Sequence, residues 1–194
     1  AGATSSGKTT LANALLAEIA ATGDRVLVLE DTVELQCAAR DHVPLRTRRG
    51  VVSMQELVRS SMRLRPDRVV VGEVRGAEAL DLIKVWGTGH PGGIATIHAG
   101  SALGALLRLE QLILEVAVNP PRALIAEAVN VVIHIAGRGR KRRIESIVRI
   151  VGFDGVVYQL ADAMETPFPE LPPVSSVAPA AAPSLSLDPP GELS

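Results

Sequence analysis

The stretch "GATSSGKTT", Gly2 to Thr10, decides how this chain is read. Gly2, four residues and then Gly7-Lys8-Thr9 fit the phosphate-loop spacing G-x-x-x-x-G-K-[ST]. In such a loop successive backbone N–H groups turn inward around phosphate oxygens. The two glycines let the backbone bend without Cβ clashes. Gly2, Ala3, Thr4, Ser5, Ser6, Gly7, Lys8, Thr9 and Thr10 are therefore the nucleotide-binding candidates. Lys8 is expected to reach the β- and γ-phosphates, and the Thr9 hydroxyl to take one magnesium position. A helix must follow directly, because a helix N-terminus favours anions. "KTTLANALLAEIAATGD" supplies it, with Leu11, Ala14, Leu15 and Ile19 at helical spacing and Gly23 as the stop.

The same pattern calls for a buried strand before the loop, where only Ala1 stands and no initiator Met is present. The expectation is a fragment whose first strand is missing, with a slot inside the sheet where that strand belongs.

Working outward, 194 residues suffice for one domain and a tail. Hydrophobic residues make up 47% and aromatic residues 2%, so the core must be aliphatic. A net charge of −1 argues against wholesale coating of nucleic acid. Seventeen Arg stand against three Lys, a bias that suits bidentate phosphate or carboxylate contacts and that a GC-rich genome also produces. Cys37 is the only cysteine, so no internal disulfide can form. No apolar run approaches the ~18 residues of a membrane-spanning helix.

Short aliphatic runs alternate with helical patterns. "RVLVLED" (25–31), "DRVVVGE" (67–73), "GGIATIHA" (92–99) and "VNVVIHIA" (129–136) read as strands. Between them, "SMQELVRSSMRLR" opens with a capping box of Ser53 and Glu56. "AEALDLIKVW", "SALGALLRLEQLILEVA" with Ser101 as N-cap, and "PPRALIAEAV" are further helices. "RIESIVRIVGFDGVVYQLA" reads as a β-hairpin around a Gly/Asp turn. Such alternation predicts an α/β fold, a mostly parallel sheet flanked by helices, with the hairpin adding antiparallel strands at its edge. Residues 1–165 form the expected domain. Residues 166–194, rich in Pro, Ala and Ser, are expected to be a disordered tail.

Ligands of open α/β sheets bind at the carboxyl ends of the strands. Three strands deliver Glu30, Asp31 and Glu34, then Glu73, then His98 to that edge. Phosphoryl transfer needs a phosphate clamp, magnesium and an oriented nucleophile. Glu73 ends a valine run where a Walker B acid belongs, although the usual Asp-Glu pair is Gly72-Glu73. Thr9 with Glu30 or Asp31 is therefore expected to hold the metal. Glu73 is expected to polarise the attacking water, with Glu30 and His98 as further catalytic candidates.

"GATSSGKTT", "LEDTVELQC", "LRPDRVVVGEVRGAEALDL" and "GTGHPGGIATIHA" resemble, in order, the Walker A, Asp, Walker B and His boxes of the secretion ATPases. Those proteins drive type II and type IV secretion and pilus dynamics. The resemblance covers roughly Gly2 to Leu160 and is strongest to conjugative-transfer members. It implies a RecA-like P-loop NTPase domain that hydrolyses ATP with Mg²⁺ as part of a hexameric ring. It further implies a cytoplasmic, peripheral position on the inner membrane, type IV secretion or conjugation components as partners, and nucleic acid only indirectly. Members carry an N-terminal domain, and the resemblance implies that it is missing from this stretch of sequence. Arg75, Arg46, Arg48 and Arg49 remain possible phosphate or intersubunit contacts.

"RGRKRR" (138–143) puts five cations in six residues, for a solvated turn or an acidic partner. Other phosphate-loop classes fit less well, since neither an N-K-x-D nor an L-S-G-G-Q motif is present and no arginine-bearing lid is evident. The alternatives kept open are a RecA-like nucleic-acid motor, a type II secretion or type IV pilus ATPase, and a non-enzymatic scaffold.

Overall fold

A computed structural model describes residues 1–90, 92–163 and 165 of the chain. Strand β1 (Val26–Glu30) is buried at every position, as an interior parallel strand must be. Its alternate residues face opposite ways. Val26 and Val28 join Val70 against Leu16 of helix α1 (Lys8–Ile19). Leu27 and Leu29 join Val69 and Val71 in the larger core on the other face. That core is covered by α2 (Met54–Ser61), α3 (Glu78–Gly87), α4 (Ala102–Ile113) and α5 (Arg122–Ala128). The capping box at Ser53 and Glu56 forms, and the Ser101 hydroxyl accepts the Gly104 N–H.

The parallel sheet runs β2-β1-β3-β4, with β2 at His42–Arg46, β3 at Arg68–Val71 and β4 at Ile94–Ala95. Strand β2 has no counterpart in the sequence reading. Its sides alternate between exposed and half-buried, and Pro44 interrupts the apolar pattern. Proline lacks a donor and is tolerated only where no ladder bond is needed, as on this edge.

The fourth expected strand, β5 (Val131–Ala136), forms and meets Gly2 in a parallel bridge, but it is not hydrogen-bonded to β4. It pairs antiparallel with β6 (Arg143–Phe153), which pairs with β7 (Tyr158–Asp162), in a sheet of its own. Ala1 and Gly2 link the two sheets. The Gly2 N–H donates to Ile97 O at 3.3 Å, and the Ile135 N–H donates to Ala1 O at 2.9 Å. Around that link an apolar cavity of about 320 Å³ opens, lined by Leu11, Leu15, Trp86, Leu109, Val131 and Ile133 among others. The proposed tail, 166–194, lies outside the described residues.

A buried polar cluster ties the second sheet to the helices. The Tyr158 hydroxyl donates to Glu110 Oε1 at 2.8 Å, and Arg122 bonds Oε2 at 3.0 Å. Burial, then the Glu110 carboxylate, push the Tyr158 phenol well above its ordinary 10.0. The folded state therefore holds this proton more tightly than the unfolded chain does. The associated stability is complete below about pH 10 and is lost as pH rises beyond it. We expect Tyr158→Phe to cost about 1–2 kcal/mol at neutral pH, and to remove that alkaline loss. Melting curves on both sides of that pH check it. Tyr158 is the sole tyrosine, so phenolate absorbance reports the same event directly.

Candidate nucleotide site

The loop before α1 closes on itself. Gly7 caps the helix in a left-handed conformation, φ 100°, and Ser5 is also left-handed at φ 62°. For Ser5 that costs backbone strain, which only a well-determined surrounding sustains. Ser6 is fully buried beneath the loop, its hydroxyl packed where a Cβ on Gly2 would fall. Thr4, Ser5, Lys8 and Thr9 all line the cleft, the first two exposed and the last two half-buried.

That cleft, about 340 Å³, lies at the carboxyl ends of β1 and β3 and beside the segment that follows β4. Lys8 Nζ donates to Ala3 O at 3.0 Å and lies 3.4 Å from His98 Nδ1. His98 Nε2 stands 3.0 Å from Glu73 Oε1. One tautomer satisfies both contacts, with Nδ1 accepting from Lys8 and Nε2–H donating to Glu73. The other Glu73 oxygen accepts from Arg75 at 2.7 Å. Arg75 holds the Glu73 carboxyl below its ordinary range, with His98 and Lys8 adding to the effect. Partial burial lowers the Lys8 pKa, while Glu73 and Glu34 pull it the other way. Arg75 also lies 3.8 Å from Asp31, whose Oδ1 accepts from Thr47.

The two glutamates of "LEDTVEL" take separate places. Glu30 is buried, and its Oε1 accepts the backbone N–H of both Glu34 and Leu35, at 2.9 and 2.8 Å. Its carboxylate thereby shapes the turn. Glu34 instead reaches the phosphate loop, where its Oε2 accepts from the Thr9 hydroxyl at 3.0 Å. Asn13 of α1 fixes that turn from the other side, donating to Glu34 O at 3.2 Å and accepting from Gln36 N at 2.9 Å. Sequence reasoning noted Glu34 but left it off the metal and catalytic set. The signal was available in part, because Glu30 directly ends a fully buried strand and Glu34 lies in the following loop.

Gly72 is explained by the same geometry. A Cβ there would meet Glu30 Cγ at 3.2 Å, tighter than an ordinary contact, so a side chain at this position would press on Glu30. The Thr96 hydroxyl donates to Gly72 O at 2.6 Å and aligns β3 with the segment that carries His98. Arg46, Arg48 and Arg49 are exposed at the end of β2 and in the turn after it.

Residues 1–145 match the family model of the type II/IV secretion system proteins. The chain belongs to this family. Within the family, the conjugal transfer protein TrbB of Rhizobium radiobacter is 51% identical over 160 residues, 81% of this chain and 49% of the relative. The probable conjugal transfer protein TrbB of Sinorhizobium fredii is 50% identical over 161 residues, 82% of this chain and 49% of that protein. The solved VirB11 ATPase of the Brucella suis type IV secretion system superposes with a TM-score of 0.69 at 35% identity, over 76% of this chain and 46% of that one. The chain thus spans about half the length of the curated relatives it matches. Among the described residues of this type II/IV secretion system chain, no helix is long and apolar enough to cross a membrane.

Proposed function

We propose that this chain is the catalytic part of an ATP-hydrolysing motor of a type IV secretion or conjugative-transfer system, working as a ring oligomer. The observation that carries the reading is the chain of contacts Lys8–His98–Glu73 across the mouth of the phosphate loop. It connects a cation suited to the γ-phosphate with a carboxylate suited to a water. In this reading Lys8 neutralises phosphate charge, and Glu73 accepts the proton of the attacking water. His98 touches both and so responds to the phosphate that Lys8 holds. Arg75 keeps Glu73 ionised and aimed.

The residues present fit a magnesium ion. Mg²⁺ is usually bound through one or two protein groups, substrate phosphates and water. Thr9 with Glu34 offers such a pair, and Asp31 lies beside them in the cleft wall. Glu30, with Oε1 on two amides, would support that pair rather than bind the metal directly. When bound, the ion supplies charge neutralisation of the phosphates.

The apolar cavity between β4 and β5 fits one further strand leading into Ala1, which would join the two sheets into one. The greater length of the relatives supports this reading. An N-terminal domain, a peripheral inner-membrane position and secretion-system partners belong to the same proposal.

The test compares this chain with a version extended upstream to the relatives' length. We expect the extended protein to melt higher and its specific ATP turnover to rise with protein concentration, as ring assembly requires. Turnover independent of concentration but stimulated by DNA would replace the secretion reading with a nucleic-acid motor.

A further inference from the structure

The basic run after β5 is more than a solvated turn. Gly137, at φ 82°, reverses the chain where a Cβ would fall on the Lys141 carbonyl. A 3₁₀ turn over Gly139–Lys141 follows, closed by Lys141 N–H to Arg138 O at 3.1 Å and Arg142 N–H to Gly139 O at 3.4 Å. The turn carries Arg142 back onto the phosphate loop. Its side chain crosses Gly7, so that a Cβ on Gly7 would lie 3.4 Å from Arg142 Cδ and 3.9 Å from Nε. Of the basic run's cations, Arg142 alone lies within 4 Å of that position.

Its side of the loop matters. Glu73, His98, Glu34 and Thr9 line the cleft on the flank formed by β1, β3 and the segment after β4. Arg142 arrives from β5, which stands beyond Ala1 and Gly2 on the opposite flank. A nucleotide whose γ-phosphate meets Lys8 and Glu73 must extend its other end away from those groups, along the start of α1. We propose that Arg142 is a nucleotide-binding residue for the α-phosphate and nucleoside end, reached from the second sheet. The assignment rests on the reading of the loop as a nucleoside-triphosphate site. The planar guanidinium suits both parts, as a charged donor to phosphate oxygens and a flat surface against a base. It also gives the β5–β6 turn a direct contact with bound nucleotide.

The experiment is displacement of a fluorescent N-methylanthraniloyl ADP from the full chain by ADP and, separately, by inorganic tripolyphosphate. Tripolyphosphate fills the phosphate cradle but has no nucleoside end. In Arg142→Ala we expect ADP affinity to fall roughly tenfold, and tripolyphosphate affinity to fall by a clearly smaller factor, through its α-position phosphate alone. Arg142→Lys should recover part of the loss, and Arg140→Ala, on the same turn, should show none. Unchanged ADP affinity in Arg142→Ala overturns the proposal. So does an equal loss for both competitors, or a loss of the same size in Arg140→Ala, which would mark general charge or loop disturbance. A wild-type chain that binds tripolyphosphate but not ADP refutes the Arg142 assignment while leaving the phosphate cradle intact. Binding of neither removes the nucleotide reading and the assignment with it.

Discussion

Lys8→Ala is expected to abolish ATP turnover and to weaken nucleotide binding in the upstream-extended protein. Lys8 Nζ is within reach of the Ala3 carbonyl and of His98, so it stands at the mouth of the cradle rather than in bulk solvent. A fixed charge aimed where charge develops in the transition state acts without waiting for solvent to reorganise. Removing one such group typically costs about 10²–10³ in rate. The loss should be greater here, because the same side chain also touches His98, which contacts Glu73. The fold should survive, since Lys8 is only partly buried at the start of α1 and alanine suits a helix. Phosphate release and equilibrium binding, each alongside a melting curve, measure the effect. Turnover within about tenfold of wild type would place the phosphate clamp elsewhere.

Glu73→Gln is expected to leave binding nearly intact and to remove most turnover. Glutamine keeps the shape, and its amide oxygen can still accept from Arg75 or His98. It cannot take a proton from water. Loss of a general base typically costs about 10²–10⁴ in rate. The depressed Glu73 pKa sharpens the expectation, because Arg75 keeps this carboxylate ionised through its ordinary titration range. Any loss of activity between neutral pH and the ordinary carboxylate range therefore belongs to another group. Single-turnover measurements with ATP separate the chemical step from nucleotide release. Near-normal turnover in Glu73→Gln would move the base to Glu34, the other cleft carboxylate in contact with the phosphate loop.

The two predictions draw on different depths of information. The positions of Lys8 and Glu73 at the cleft were legible from sequence alone, because their signals are local. A glycine-rich loop must precede a helix, and an acid directly after a buried valine run must emerge at the carboxyl edge of a sheet. Helix starts at Ser53 and Ser101 were legible for the same reason, since a cap acts on amides three residues away. Strand β2 was not, because Pro44 and its exposed positions hide a pairing made across the chain with β1.

What the sequence by itself determined, then, was the phosphate loop, the aliphatic strands behind it and the polar residues at their ends. Only the tertiary structure decided which of those residues reach one another. Glu30 and Glu34 are the same residue type four positions apart, and nothing local assigns their roles. The turn after β1 brings two amides onto Glu30 and sends Glu34 to Thr9. Gly72 stands where an aspartate is usual, and only the fold shows that a Cβ there would press on the Glu30 side chain. Arg142 looked like one cation among five until the turn at Gly137 laid it across Gly7, 135 positions earlier in the chain. β5 was legible as a strand, but its place in a sheet with β6 and β7 was not, since an aliphatic run does not say which strand it pairs with. Local chemistry fixes what each residue can do, whereas contacts between distant segments are set by how the whole chain packs, and those contacts choose among equivalent groups.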